Sequence, residues 1–99
     1  MKSLLLTVSV LLLSTGLSAA QSFNCRYAKL PAEVAICQDP ELSDLDSRMA
    51  ALYFSLPPRV RSYESRPQKA WLSRRNRCGY NARCIADAYD DRIYELRNY

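Results

Sequence analysis

Residues 39–56, DPELSDLDSRMAALYFSL, decide the fold because they combine a helix start with a long helical apolar pattern. Asp39 is a residue type that caps helix N-termini, Pro40 suits a first helical position, and Glu41 suits the positive end of the helix dipole. The apolar residues that follow recur at intervals of three, four and seven, as on one face of a helix. We therefore predict a long amphipathic helix with a buried face formed by Leu42, Leu45, Met49, Leu52, Tyr53 and Leu56.

The sequence also indicates the end of this helix and its solvent side. Pro57-Pro58 must end it, because proline disfavours the helical conformation in the residue before it. Asp44, Asp46 and Arg48 fall largely off the apolar stripe. We expect these three charged side chains to be solvated.

A second long helix is predicted further along the chain, after a basic and irregular stretch that follows the double proline. We expect it to begin near Pro67 and to use Trp71 and Leu72 as its apolar contacts. It should end by Cys78-Gly79, since glycine is common just beyond helix C-termini.

Two shorter patterns complete the helical prediction. Residues 31–37 begin with proline and predict a helix of two turns. Asn81 is placed to cap a further helix, and no segment alternates at period two for long enough to indicate a sheet. The fold class is therefore predicted as all-α, a hairpin or bundle of two long helical arms with the second interrupted around residues 78–84. The last apolar stripe comprises Ile85, Ala88, Tyr89, Ile93 and Leu96.

The N-terminus has the pattern of a cleaved secretory signal peptide. Lys2 precedes an apolar run, and small residues end at Ala19-Ala20. The run is shorter than the roughly 20 residues needed to span a bilayer. Cys25 is too far beyond Ala20 for lipid attachment at the cleavage site. We expect residues 1–20 to be a signal peptide and residues 21–99 to form one periplasmic or secreted domain that is not a lipoprotein.

The four cysteines indicate disulfides, which would stabilise a domain whose hydrophobic core is too small to hold the fold by itself. A zinc site is disfavoured because the chain has no CxxC motif and no histidine, and we predict neither a metal nor a cofactor. Three pairings are possible. We prefer Cys25 with Cys37 and Cys78 with Cys84, because each pair encloses a short segment with a plausible turn.

Several blocks of residues occur together and in order along residues 23–96. They are Phe23-Asn24-Cys25, Val34-Ala35-Ile36-Cys37, Asp39-Pro40-Glu41-Leu42, Leu45-Asp46, Ala51-Leu52-Tyr53, Gln68-Lys69-Ala70-Trp71-Leu72, Arg75-Asn76-Arg77-Cys78, Cys84-Ile85, Tyr89, Arg92-Ile93 and Leu96. With these blocks the chain resembles the lysozyme inhibitor LprI-like family. The resemblance implies a helical, disulfide-bonded, exported domain with lysozyme inhibition as its activity. The resemblance identifies no inhibitory residues, so we assign only a structural role to the matching cysteines, tryptophan and apolar positions of this chain. This chain differs from the lipoprotein that gave the family its name in lacking a lipid-attachment cysteine.

Charge is strongly segregated along the chain. Residues 59–83 hold eight basic residues and one acidic residue, whereas residues 21–58 hold three basic and five acidic ones. Lysozymes of the vertebrate type are basic, so an inhibitor is expected to present acids such as those at positions 39, 41, 44 and 46. The basic stretch instead favours anionic envelope components, which gives an alternative function as an envelope-associated structural or anion-binding protein. A plainer interpretation is that Arg74, Arg75 and Arg77 pair with acids on a neighbouring helix or stay solvated.

The candidate partner-binding residues are tyrosines and arginines, which are enriched at binding hot spots. Tyr63 and Tyr80 fall in predicted loops, and Arg75 and Arg83 lie near them in sequence. The segment 78–84 is the sharpest candidate, because a disulfide would hold it rigid and lower the entropic cost of binding. Ordinary packing of these side chains is the alternative.

Catalysis is not expected. The chain has no histidine, its cysteines are expected to be oxidised, and no serine stands in a GxSxG context. Asp44 and Asp46 point to different sides of a helix, and Asp90 and Asp91 are adjacent, so neither pair indicates a carboxylate cleft. The sequence therefore predicts a binding protein and not an enzyme.

Overall fold

The computed structural model describes residues 22–99, and this part of the chain is helical without strands. The predicted signal peptide lies outside the described residues. The all-α prediction is confirmed. The elements are a 3-10 turn at Cys25–Tyr27, α1 at Pro31–Gln38, α2 at Pro40–Ser55, α3 at Pro58–Asn76 and α4 at Ala82–Arg97.

The helix starts follow the predicted capping chemistry. The Asp39 carboxylate accepts hydrogen bonds from the backbone N–H groups of Glu41 and Leu42, at 2.9 and 3.3 Å. The Asn81 side chain accepts one from the N–H of Cys84 at 2.9 Å. Both caps satisfy donors that the first helical turn leaves without partners.

The start of α3 corrects the sequence prediction. This helix begins at Pro58, so the stretch expected to be irregular is helical and Pro67 lies inside the helix. The inward side of these extra turns is largely polar, and an apolar-periodicity argument therefore does not detect it. The inward line comprises Val60, Glu64, Gln68, Trp71 and Arg75.

The three long helices form a bundle in which α2 and α4 run parallel and α3 runs antiparallel to both. The α2–α4 direction follows from Asp46, which meets Tyr89, while the starts of both helices share a groove. The α3–α4 direction follows from the hydrogen bonds Arg75–Tyr89 and Gln68–Arg92, whose residues run in opposite order along the two helices. The prediction of two arms with one interruption is therefore wrong, because the chain reverses between α3 and α4.

The buried core is formed by the predicted apolar stripes. All five stripe residues of α4 are buried. Of the six residues in the stripe predicted for α2, Leu42, Met49 and the C-cap residue Leu56 are buried, and the other three are half-buried. Trp71 reaches from α3 to α4, where its indole N–H donates to the carbonyl of Ala88 at 2.8 Å. The remaining buried apolar residues include Ala32, Ile36 and Ala50.

Both preferred disulfides are present. Cys25 is bonded to Cys37, which ties the N-terminal segment to α1, and Cys78 is bonded to Cys84 across the α3–α4 turn. Gly79 stands in this turn with φ +60°, a left-handed conformation that other residues adopt only under strain.

Candidate partner-binding surface

The prediction that the Asp46 side chain is solvated is wrong, because this residue is 0% exposed. Its carboxylate accepts hydrogen bonds from the Tyr89 hydroxyl at 2.7 Å and from the Ser22 hydroxyl and backbone N–H, both at 2.8 Å. Burial and the neighbouring Asp46 carboxylate raise the pKa of Tyr89, so its phenol stays protonated and can donate. Asp46 thereby links α2, α4 and the N-terminal segment.

Arg75 is likewise not a surface residue, being 1% exposed, and this removes it from the predicted partner-binding set. Its guanidinium donates to the Tyr89 hydroxyl at 3.1 Å and to the Asn76 side chain at 2.8 and 3.1 Å. It also lies 3.9 Å from the Asp46 carboxylate and 5.4 Å from the centre of the Phe23 ring. The charge is retained in the interior because acceptors and aromatic faces surround it.

A second buried ion pair joins the first half of α3 to the second half of α4. Arg92 donates to Glu64 at 2.9 Å and to the side-chain amide oxygen of Gln68 at 2.8 Å, and the hydroxyl of Tyr99 donates to Glu64. Tyr99 and Arg92 together lower the pKa of Glu64, against the opposing effect of burial. Within residues 22–99 no buried side-chain nitrogen or oxygen lacks a hydrogen-bond partner.

The disulfide loop, residues 78–84, brings two of the four predicted binding residues together. Tyr80 is 69% exposed, and Arg83 is also exposed. The loop backbone is fixed by hydrogen bonds from the N–H groups of Cys78, Gly79 and Asn81 to carbonyls three residues earlier, at 3.0–3.2 Å. The loop therefore presents an aromatic and a cationic side chain from a backbone that is already ordered.

A groove of about 610 Å³ lies beside the loop, between the first turns of α2 and α4, and we call it the α2–α4 groove. Arg83 contributes to its wall from α4, and Glu41 and Asp44 contribute from α2. Asp44 also forms an exposed ion pair with Arg48 at 2.8 Å. Of the four acids expected to face a basic partner, Asp46 is buried, and Asp39 lines the groove while capping α2.

Tyr63 belongs to a different surface. It is 79% exposed, as the prediction of an accessible side chain requires, but it lies on α3 and not in a loop. About 20 Å of helix separates it from the disulfide loop, from the rise per residue of an α-helix. The four predicted binding residues therefore divide into a loop pair, one helical residue and one buried arginine.

The interpretation of the three arginines at the end of α3 as ion-paired or solvated holds. Arg74 pairs with Asp91 of α4, and Arg75 lies inside the fold between Asp46 and Glu33. Arg77 is exposed.

None of the helices within residues 22–99 is long and apolar enough to cross a membrane.

Comparison with known proteins finds relatives that are named Lipoprotein LprI. The chain is 26% identical over 87 residues to Lipoprotein LprI of Mycobacterium tuberculosis and to Lipoprotein LprI of Mycobacterium bovis. The match covers 84% of this chain and 44% of those proteins, so the chain spans less than half of their length. No family model and no solved structure matches. The result is a distant, LprI-like relationship over most of the chain.

Proposed function

We propose that this protein is an exported binding protein that inhibits a lysozyme-type muramidase. The similarity to LprI over most of the chain supports the relationship that the sequence blocks indicate. The observation that carries the proposal is the disulfide loop, which presents Tyr80 and Arg83 beside the α2–α4 groove. A loop that is ordered before binding loses little entropy in the complex.

The chemistry of the loop fits the chemistry of the target. Glycosidases of this type cleave the sugar chain with two carboxylic acid groups that flank the scissile bond. Arg83 offers a guanidinium for a charge-assisted bond to such a carboxylate, and Tyr80 offers a flat contact area with a polar end. In the proposed mode, the loop enters the cleft and blocks access of the polysaccharide.

The acids near the loop supply the longer-range attraction. Glu41 and Asp44 lie on the groove wall, and Asp87 is exposed on α4. These acids would attract a basic lysozyme toward the groove. The interface then combines acids at its rim with one arginine at its centre.

The experiment is the lysis of a peptidoglycan suspension by a vertebrate-type lysozyme, with the secreted, oxidised protein added in increasing amounts. We expect dose-dependent protection. The double variant Tyr80→Ala/Arg83→Glu should require at least about 30-fold more protein, the effect of losing one hot spot.

The matched control is Tyr94→Ala/Arg97→Glu. It removes an exposed tyrosine and an exposed arginine at the same spacing but at the far end of α4. This variant should protect as well as the wild type. Absence of protection by the wild type at large excess, or equal loss in the two variants, would refute the proposed binding mode.

A further inference from the structure

The outward side of α3, together with its C-cap residue Arg77, carries a basic face, which we define as Arg59, Arg66, Lys69 and Arg77. All four are exposed, and they follow one another by seven, three and eight residues, which keeps them within one side of the helix. Ser62 and Ser73 fall between them. The face extends over about 27 Å, from the rise per residue of an α-helix.

No negative charge neutralises this face among the described residues. The only acid of α3 is Glu64, which is turned inward and bonded to Arg92. Within residues 22–99, the four basic side chains form no ion pair. Arg61 and Arg74 contrast with them, since Arg61 donates to carbonyls at the end of α2 and Arg74 pairs with Asp91.

We infer that the basic face of α3 is a docking surface for an anionic lipid bilayer. Its charge is complementary to acidic headgroups, and a fluid headgroup layer requires no fixed spacing of the cations. Tyr63 stands between Arg59 and Arg66 on the helix surface and is 79% exposed. Tyrosine is enriched where proteins meet the interface of a membrane, which favours a bilayer over a nucleic acid.

The location of the basic face keeps the proposed inhibitory surface accessible to a partner. The α2–α4 groove is lined by residues of α2 and α4 and their caps, with none from α3. A protein held to a bilayer through α3 would therefore keep the groove turned away from it. The inference does not depend on lysozyme inhibition, because the two surfaces share none of the residues altered in their tests.

The test is cosedimentation of the secreted protein with vesicles of phosphatidylcholine alone, and with vesicles containing equal parts of phosphatidylcholine and phosphatidylglycerol. We expect pelleting with the anionic vesicles at low salt, none with the neutral vesicles, and release as salt rises. Each basic residue removed should lower partitioning about fivefold. The variant Arg59→Gln/Arg66→Gln/Lys69→Gln should thus lose about a hundredfold.

A charge-matched control separates the face from net charge. The variant Arg26→Gln/Lys29→Gln/Arg97→Gln removes three exposed cations outside α3 and should retain most of the binding. Equal losses in the two triple variants would overturn the assignment of the face. Failure of the wild type to pellet with phosphatidylglycerol, with or without retention on duplex DNA, would overturn the assignment to lipid.

Discussion

Asp46 shows how much one buried side chain decides in this fold. Its carboxylate holds Tyr89 of α4 and Ser22 of the N-terminal segment, and it lies near the buried Arg75 of α3. A buried charge is tolerated when its partners are in place and costs several kcal/mol when one partner is removed. Position 46 is therefore more sensitive than its neighbours on the same helix.

We predict that Asp46→Ala lowers the free energy of unfolding by about 3 to 5 kcal/mol, because it removes the acceptor of the Tyr89 hydroxyl and one of the two carboxylates near the buried Arg75. Urea denaturation followed by circular dichroism measures the loss. Asp44→Ala is the control, since it removes only an exposed ion pair worth at most about 1 kcal/mol. Similar losses in the two variants would contradict the role given to Asp46.

Glu64 gives a prediction about pH. Hydrogen bonds from Tyr99 and Arg92 hold the pKa of Glu64 below its ordinary 4.5, so the unfolded chain binds this proton more readily than the folded chain. The stability that Glu64 contributes is present above pH 4.5 and is lost as the pH falls through the lowered pKa. Denaturation of wild type and Glu64→Gln at neutral and at acidic pH should show a smaller acid-induced loss in the variant. Equal losses would show that protonation of Glu64 is not coupled to unfolding.

At the scale of the helices, the sequence predicts the elements whose buried faces are apolar and whose ends carry caps. Asp39 and Asn81 cap α2 and α4 as expected, and the stripes of both helices form the core. The first half of α3 could not be found in this way, because its inward residues include Glu64 and Gln68, which apolar periodicity counts as solvent-facing. The available signal was the helical spacing of Glu64, Gln68 and Trp71, which places these three residues on one side of a helix.

Pro67 tests whether α3 is one continuous helix. A proline inside a helix has no N–H to donate and costs about 3 kcal/mol relative to alanine. We predict that Pro67→Ala raises the free energy of unfolding by up to about 3 kcal/mol, as measured by urea denaturation. Pro58→Ala should have a much smaller effect, since Pro58 occupies the first position of the helix. No gain from Pro67→Ala would place the residue outside a regular helix.

The disulfides act at the same scale, because each closes a short segment at a helix end. Replacing Cys78 and Cys84 together by serine should lower the free energy of unfolding by about 2 to 3 kcal/mol, through the greater freedom of the unfolded chain. Thermal denaturation measures the change. A melting temperature equal to that of the oxidised wild type would contradict a stabilising role.

In the whole molecule, two surfaces of different chemistry are separated by the bundle. The disulfide loop and the α2–α4 groove combine Tyr80 and Arg83 with acids, whereas the outer side of α3 carries the basic face and no exposed acid. The sequence indicates both surfaces through charge segregation and cysteine spacing. It does not predict that Arg75 is buried or that Tyr63 belongs with α3, since both depend on how α3 packs.

The central claim is that the disulfide loop binds in the catalytic cleft of a lysozyme. The most direct measurement is calorimetric titration of the oxidised protein into a vertebrate-type lysozyme, with and without a saccharide inhibitor that fills the cleft. We predict a saturable one-to-one complex with an affinity that falls in proportion to saccharide occupancy. Binding that is indifferent to the saccharide, or no binding at all, would contradict the claim.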